Sequence, residues 1–149
     1  MWALLLTLLA PDAAQEARTS AEVVAAFVDA YNRRDHAAYE GLLAEDARWL
    51  SVEGSSVSTE GEGRASIATW TRAYLEQSCT TCRSELVSVA ASGPFVATVE
   101  RASWTDSEGR CLQQTSPAVY EVEGGRIKTV WYYPAAGRSA CAEEGEGRR

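Results

Sequence analysis

Early in the chain apolar residues recur at helical spacing, and later they alternate with polar ones, so helices come first and strands after. Thr19-Ser20-Ala21-Glu22 carries the signature of a helix start, a hydroxyl side chain followed by an acidic residue in the first turn. Val23, Val24, Phe27, Ala30 and Tyr31 then lie along one face of the predicted helix. Asp35 predicts the cap of a short second helix that buries Ala38, Tyr39, Leu42 and Leu43. Residues Asp46 to Glu53 read as a strand, ended by the polar, glycine-containing stretch 54–63. A third helix follows, with Ile67, Trp70, Thr71 and Tyr74 on one side.

Past Cys82 the pattern becomes β. Strands are predicted over 83–91, 95–105, 110–122 and 126–133, separated by Ser92-Gly93-Pro94, Asp106-Ser107-Glu108-Gly109 and the tight hairpin Gly124-Gly125. Pro117 inside the third of these implies a bulge or a locally unpaired edge. The order is α-α-β-α-β-β-β-β, an α+β domain.

Length and composition narrow the picture. At 149 residues the chain holds one hydrophobic core, and 46% hydrophobic against 23% charged residues is globular composition. A formal charge of −7 with no basic stripe argues against nucleic acid as a partner. The apolar run Trp2 to Ala10 is shorter than the about 20 residues a membrane span takes, but it suits the core of a signal peptide. Small residues at Ala13, Ala14 and Ala17 suit cleavage, although no Lys or Arg precedes the run. We therefore expect a leader over 1–17, a folded domain over 18–138 and a disordered acidic tail over 139–149, in a secreted or periplasmic protein. Four cysteines fit that compartment.

Three local patterns carry a resemblance. They are Ala-Tyr-Asn-Arg-Arg-Asp at 30–35 with the following Leu42-Leu43-Ala44-Glu45-Asp46-Ala47, Glu60-Gly61-Glu62-Gly63-Arg64-Ala65-Ser66-Ile67 before Trp70, and Tyr120 to Ile127 with its Trp131. In this order the chain resembles the SnoaL-like branch of the nuclear transport factor 2-like superfamily over residues 20–134. The resemblance implies a cone: three N-terminal helices packed on a curved, mainly antiparallel sheet, with a hollow that takes small apolar molecules. It also allows a homodimer through the sheet. Relatives include steroid isomerases, polyketide cyclases, epoxide hydrolases and dehydratases, so the fold alone does not set the function.

The candidate chemistry is sparse. The positions matching a steroid isomerase's base, phenol and acid fall on Ser51, Phe27 and Ala118, none of which has the required group. A cyclase-like acid or base in the hollow would be Glu53, on the face shared by Trp49 and Ser51; the plain alternative is a solvated strand end beside Gly54. His36, the only histidine, follows a helix cap and reads as a surface residue. Gly61-Glu62-Gly63 lacks the third glycine and the βαβ setting of a dinucleotide loop, and no metal-ligand spacing occurs. No cofactor is expected.

Aromatic residues are the strongest remaining signal. Rings at Trp49, Trp104, Tyr120, Trp131, Tyr132 and Tyr133 lie on predicted strands, and they either fill the cone or line a pocket. The expected pocket comprises Phe27, Tyr31, Trp49, Ser51, Trp104, Ala118, Tyr120 and Trp131. Two titratable groups converging in a closed hollow would mark an enzyme; a ring-lined hollow without them would mark a binding protein. The second reading is favoured.

Strand counting also pairs the cysteines. Trp104 falls opposite Cys82 on one side and Cys111 on the other, which separates those two by two strand spacings, roughly 9–10 Å. That exceeds the about 7 Å a disulfide spans. Cys79–Cys82 and Cys111–Cys141 remain, the second stapling the tail.

Overall fold

The computed structural model describes residues 18–142. The expected leader lies outside them, as do residues 143–149 of the expected tail. The elements run α1 (Ser20–Arg33), α2 (His36–Gly41), β1 (Leu43–Glu53), β2 (Ser56–Glu62), α3 (Arg64–Ala73), a π-helical turn (Tyr74–Ser78), β3 (Arg83–Ser92), β4 (Phe95–Thr105), β5 (Cys111–Glu123), β6 (Arg126–Tyr132) and the short β7 (Ser139–Ala140). Three helices pack on one curved sheet of order β2-β1-β6-β5-β4-β3, with β7 added to β5. All neighbours are antiparallel except β1 and β6.

Local chemistry sets the boundaries. Thr19 closes a capping box on α1: its hydroxyl accepts from the Glu22 amide at 3.2 Å, and the Glu22 carboxylate accepts from the Thr19 amide at 2.7 Å. Arg34 ends the helix in the left-handed region at φ 58°, an uncommon conformation for a residue with a side chain. Its guanidinium is anchored on the carbonyls of Tyr31, Thr80 and Cys82. Asp35 caps α2 through the Ala38 amide at 3.0 Å. Gly124 and Gly125 turn the β5–β6 hairpin with φ of 57° and 74°, the pair of positive values a type I′ turn demands.

The sheet differs from expectation in three places. Residues 56–62 form an edge strand, not a loop; its polar side chains are nearly all exposed, so no hydrophobic alternation announces it. β1 begins at Leu43 instead of Asp46, because Leu43 pairs with Ile127 of the parallel neighbour β6 rather than closing α2. Ser139 and Ala140 pair with Gln113 and Leu112, so ordered structure extends past residue 138.

Pro117 causes no register shift against β4. Its carbonyl accepts from the Tyr133 amide, so its amide-less nitrogen faces the end of β6, where the β5–β6 pairing begins only at Ala118. The missing donor therefore falls where the ladder is already ending. Of the two readings of this proline, the locally unpaired edge is the one that holds.

Helices and sheet enclose a core of Val23, Val24, Phe27, Leu43, Ile67, Val96, Tyr120, Val122, Ile127 and Val130, all buried. Each aliphatic side chain removed from water contributes about 1.5–3 kcal/mol. Both expected disulfides are present, with Cα separations of 5.3 Å for Cys79–Cys82 and 5.4 Å for Cys111–Cys141. The strand count behind them is off by one on β5, where Trp104 faces Leu112 and Cys111 faces Thr105.

Candidate functional site

The inner face of the sheet changes character along its strands. On β4 the inward residues are Val96, Thr98, Glu100 and Ala102, and their partners on β5 are Tyr120, Ala118, Ser116 and Gln114. The first of these rows is packed core. Tyr120, and further along Glu100, Ala102 and Gln114, border a cavity of about 280 Å³ beneath the helices.

Its walls are aromatic. Phe27 and Tyr31 come from α1, Tyr39 from α2, Trp49 from β1, Trp70 from α3, Tyr74 from the π-helical turn, Tyr120 from β5 and Tyr132 from β6. All of these rings but Tyr31 form a connected chain. Phe27 stacks on Tyr39 at 4.2 Å and meets Tyr120 edge-on at 6.3 Å. Trp49 lies 6.5 Å from Phe27, 5.9 Å from Tyr132 and 6.5 Å from Trp70, and Trp70 stacks on Tyr74 at 6.2 Å. Trp70 and Tyr74 are 54% and 39% exposed, which places them at the open side. Asn32 ties α1 to β3 there, its side chain exchanging two hydrogen bonds with the Ser84 backbone at 2.7 and 2.8 Å.

One carboxylate sits at the floor. Glu100 is only 4% exposed. One of its oxygens accepts from the Tyr120 phenol at 2.5 Å and the Thr98 hydroxyl at 3.2 Å; the other accepts from Tyr132 at 3.2 Å and Ser84 at 3.3 Å. A carboxylate offers about four lone-pair sites, and here each faces a hydroxyl, although the single Thr98 proton is shared with the Ala118 carbonyl at 3.3 Å. Among the described residues no Lys, Arg or His lies within ion-pair distance of Glu100.

The phenols around it resist ionisation. Burial pushes Tyr31 up to about 12, and the nearby charge of Glu100 adds in the same direction. Tyr120 and Tyr132 are raised by burial first and by Glu100 second. Tyr39 is raised by burial, against a hydrogen bond with Thr71.

Of the residues expected in the pocket, Phe27, Tyr31, Trp49 and Tyr120 line it. Ser51 and Ala118 flank Tyr132 in one row across the inner face, but they do not reach the cavity. Trp104 shares that face two residues past Ala102, where Arg138 covers its ring at 5.3 Å. Trp131 points the other way: Tyr132 takes the inward position, and Trp131 meets Phe95 on the outer face at 6.5 Å. Glu53 is exposed at the end of β1, away from the cavity. His36 sits at the surface of α2, 3.5 Å from Glu76. Glu100, Tyr39, Tyr132 and the rim residues Trp70 and Tyr74 are among the additions. A glutamate alternating in phase with Val96 and Thr98 was the available signal for the first of them.

A helix-covered, unclosed sheet with a ring-lined cavity defines a cone-shaped α+β fold. Residues 24–130 match the SnoaL-like domain, and the chain belongs to that family, within the nuclear transport factor 2-like superfamily. No curated protein matches. Among solved structures, an LEH-like epoxide hydrolase of M. tuberculosis aligns at 23% identity over 76% of this chain and 80% of its own, with a TM-score of 0.60. An NTF2-like protein of unknown function from Burkholderia pseudomallei aligns at 22% over 76% and 88%, with a TM-score of 0.63. Bal32a, from a soil-derived mobile gene cassette, aligns at 23% over 79% and 90%, with a TM-score of 0.65. At these identities the likeness concerns the fold.

Proposed function

We propose that this protein is an exported binding protein that holds a small apolar or aromatic molecule in its cavity without transforming it. The observation that carries the reading is the occupancy of Glu100: hydroxyls of the protein already fill its acceptor positions, so it serves as the hub that fixes Tyr120 and Tyr132. A general base needs a free lone pair aimed at substrate. The eight rings around the cavity supply contact area for a flat ligand.

A second reading has one specific observation in its favour. Glu100 and Tyr132 are two titratable groups converging at the cavity floor, and the hydrogen bond between them is long enough to be exchanged for one to a substrate. An enzyme of the cyclase, isomerase or dehydratase kind would use them as its acid–base pair.

Export rests on the apolar N-terminal run and on two disulfides, which persist in oxidising compartments. Among the described residues no helix is long and apolar enough to cross a membrane. Pairing of two copies has support from the outer sheet face, where the half-buried Trp131 and Val119 lie in register beside the exposed Phe95.

Native mass spectrometry of protein recovered from the periplasm or medium tests all three parts. We expect a chain starting near Gln15 or Arg18, a non-covalent small molecule released unchanged on unfolding, and a dimer peak. An intact Met1 overturns export, a monomer overturns pairing, and an empty protein overturns ligand binding. Release of an altered molecule from the wild type, but not from Glu100→Gln, establishes the enzyme reading instead.

A further inference from the structure

The cavity combines two features that a neutral apolar ligand would leave unused. Its floor holds a buried carboxylate with no cationic partner among the described residues, and its walls are aromatic rings, several of them stacked in pairs. Four hydroxyl donors offset part of the cost of burying that charge, yet a buried charge is fully compensated only by an opposite one. Aromatic faces carry the negative end of a quadrupole and attract cations, most of all where water is excluded.

We propose that the natural ligand is an organic ammonium ion, an amine or quaternary ammonium carried on a small apolar or aromatic body. This rests on the reading that the cavity binds a small molecule, and it names that molecule's class. The ammonium would lie among Trp49, Trp70, Tyr74 and Tyr132, in the field of Glu100. Two further observations point the same way. Burial and the charge of Glu100 both raise the phenols of Tyr31, Tyr120 and Tyr132, in keeping with a negative charge at the cavity floor. The chain as a whole carries −7, so long-range attraction favours a cation at the mouth. The cations nearby do not fill the role. Arg34 is committed to three backbone carbonyls, and Arg83 at the rim is exposed, where solvent and salt screen its charge.

Calorimetric titration of the purified protein with three benzyl probes that differ in the charge of the head group tests the inference. They are benzyltrimethylammonium, its neutral carbon isostere neopentylbenzene, and the anion phenylacetate. The ammonium should bind about tenfold or more tighter than the isostere, and phenylacetate weakest. Glu100→Gln should bring ammonium and isostere to within about threefold while the isostere's own affinity stays. Trp70→Leu changes a residue that is 54% exposed and so leaves folding intact; it should weaken the ammonium several-fold more than the isostere. If Glu100→Gln does not fold, Trp70→Leu decides. Equal or tighter binding of the isostere by the wild type overturns the ammonium class and leaves small-molecule binding standing. Failure of all three probes to bind overturns both.

Discussion

The two halves of β4 share one strand, one face and one set of neighbours, yet they do opposite work. Val96 packs against Tyr120 in a row that ends at Trp49, and with Phe27 these rings join the packed core to the near wall of the cavity. Four residues on, Glu100 faces the cavity with Ser116 beside it, then Ala102 with Gln114 and Ser84. The β4–β5 register is continuous from Phe95 to Thr105, while on the other side a bulge in β3 between Leu86 and Ser88 falls opposite Glu100 and Val99, at the boundary of the two halves. The difference is side-chain volume and polarity. Large apolar groups fill the closed end, while small or polar ones leave the other end hollow. A cone thus acquires a site by what it omits at one end, and the closed end supplies the rigidity that holds the open end apart.

That division predicts where stability and binding separate. Ile127 is fully buried at the closed end, and its amide donates to Leu42 at 2.7 Å. Ile127→Ala keeps the hydrogen bond but opens a void, and it should cost about 3 kcal/mol of unfolding free energy. Denaturant titration should show that loss, with ligand affinity changed little in the population that remains folded. A loss of affinity as large as the loss of stability would break the comparison, because the two ends would then not be separable.

The open end responds to pH instead. The Tyr31 phenol is raised from 10.0 to about 12 in the folded protein, and Tyr39, Tyr120 and Tyr132 are raised as well. Below pH 10 folded and unfolded chains hold these protons equally, so their contribution is constant. Above it the unfolded chain releases protons that the native state keeps, and stability falls as pH rises through about 12. Each phenol contributes a slope of about 1.4 kcal/mol per pH unit in that window. Ultraviolet titration of phenolate should show these four tyrosines ionising only as the fold is lost. Their smooth ionisation in a chain that stays folded would mean that the cavity is wet and that Glu100 exerts little field.

How much of this is legible in the sequence follows from how local each cause is. The α1 cap spans four residues and the β5–β6 turn two, so Thr19, Glu22, Gly124 and Gly125 announce themselves. β2 is polar and exposed, and it exists because β1 offers it an edge, a cause that lies elsewhere in the chain. β7 pairs over only two residues, next to the Cys111–Cys141 link. The site is still less local. Glu100 meets Tyr120 and Tyr132 from 20 and 32 residues away. Trp131 and Tyr132 are adjacent, and alternation says that one ring points inward without saying which; only pairing with Ser51 and Ala118 decides for Tyr132.

The smallest predicted effect sharpens the comparison most, because it sets two glutamates against each other. Glu53 and Glu100 both lie on strands of the same sheet, and alternation on β1 gives Glu53 the same claim to the hollow through Trp49 and Ser51. What separates them is position along the strand. Glu53 is the last residue of β1, paired with Ser56 across a turn through Gly54, and its side chain is exposed with no hydrogen bond or ion pair among the described residues. Removing its charge therefore removes a solvated group from water on both sides of the folding equilibrium, which leaves stability within about 0.5 kcal/mol. Glu53→Gln should bind any cavity ligand as the wild type does, measured by the same calorimetric titration, whereas Glu100→Gln should change which ligand is preferred. A binding defect in Glu53→Gln matching that of Glu100→Gln would place the site at the end of β1 and make the cavity beneath the helices a packing feature.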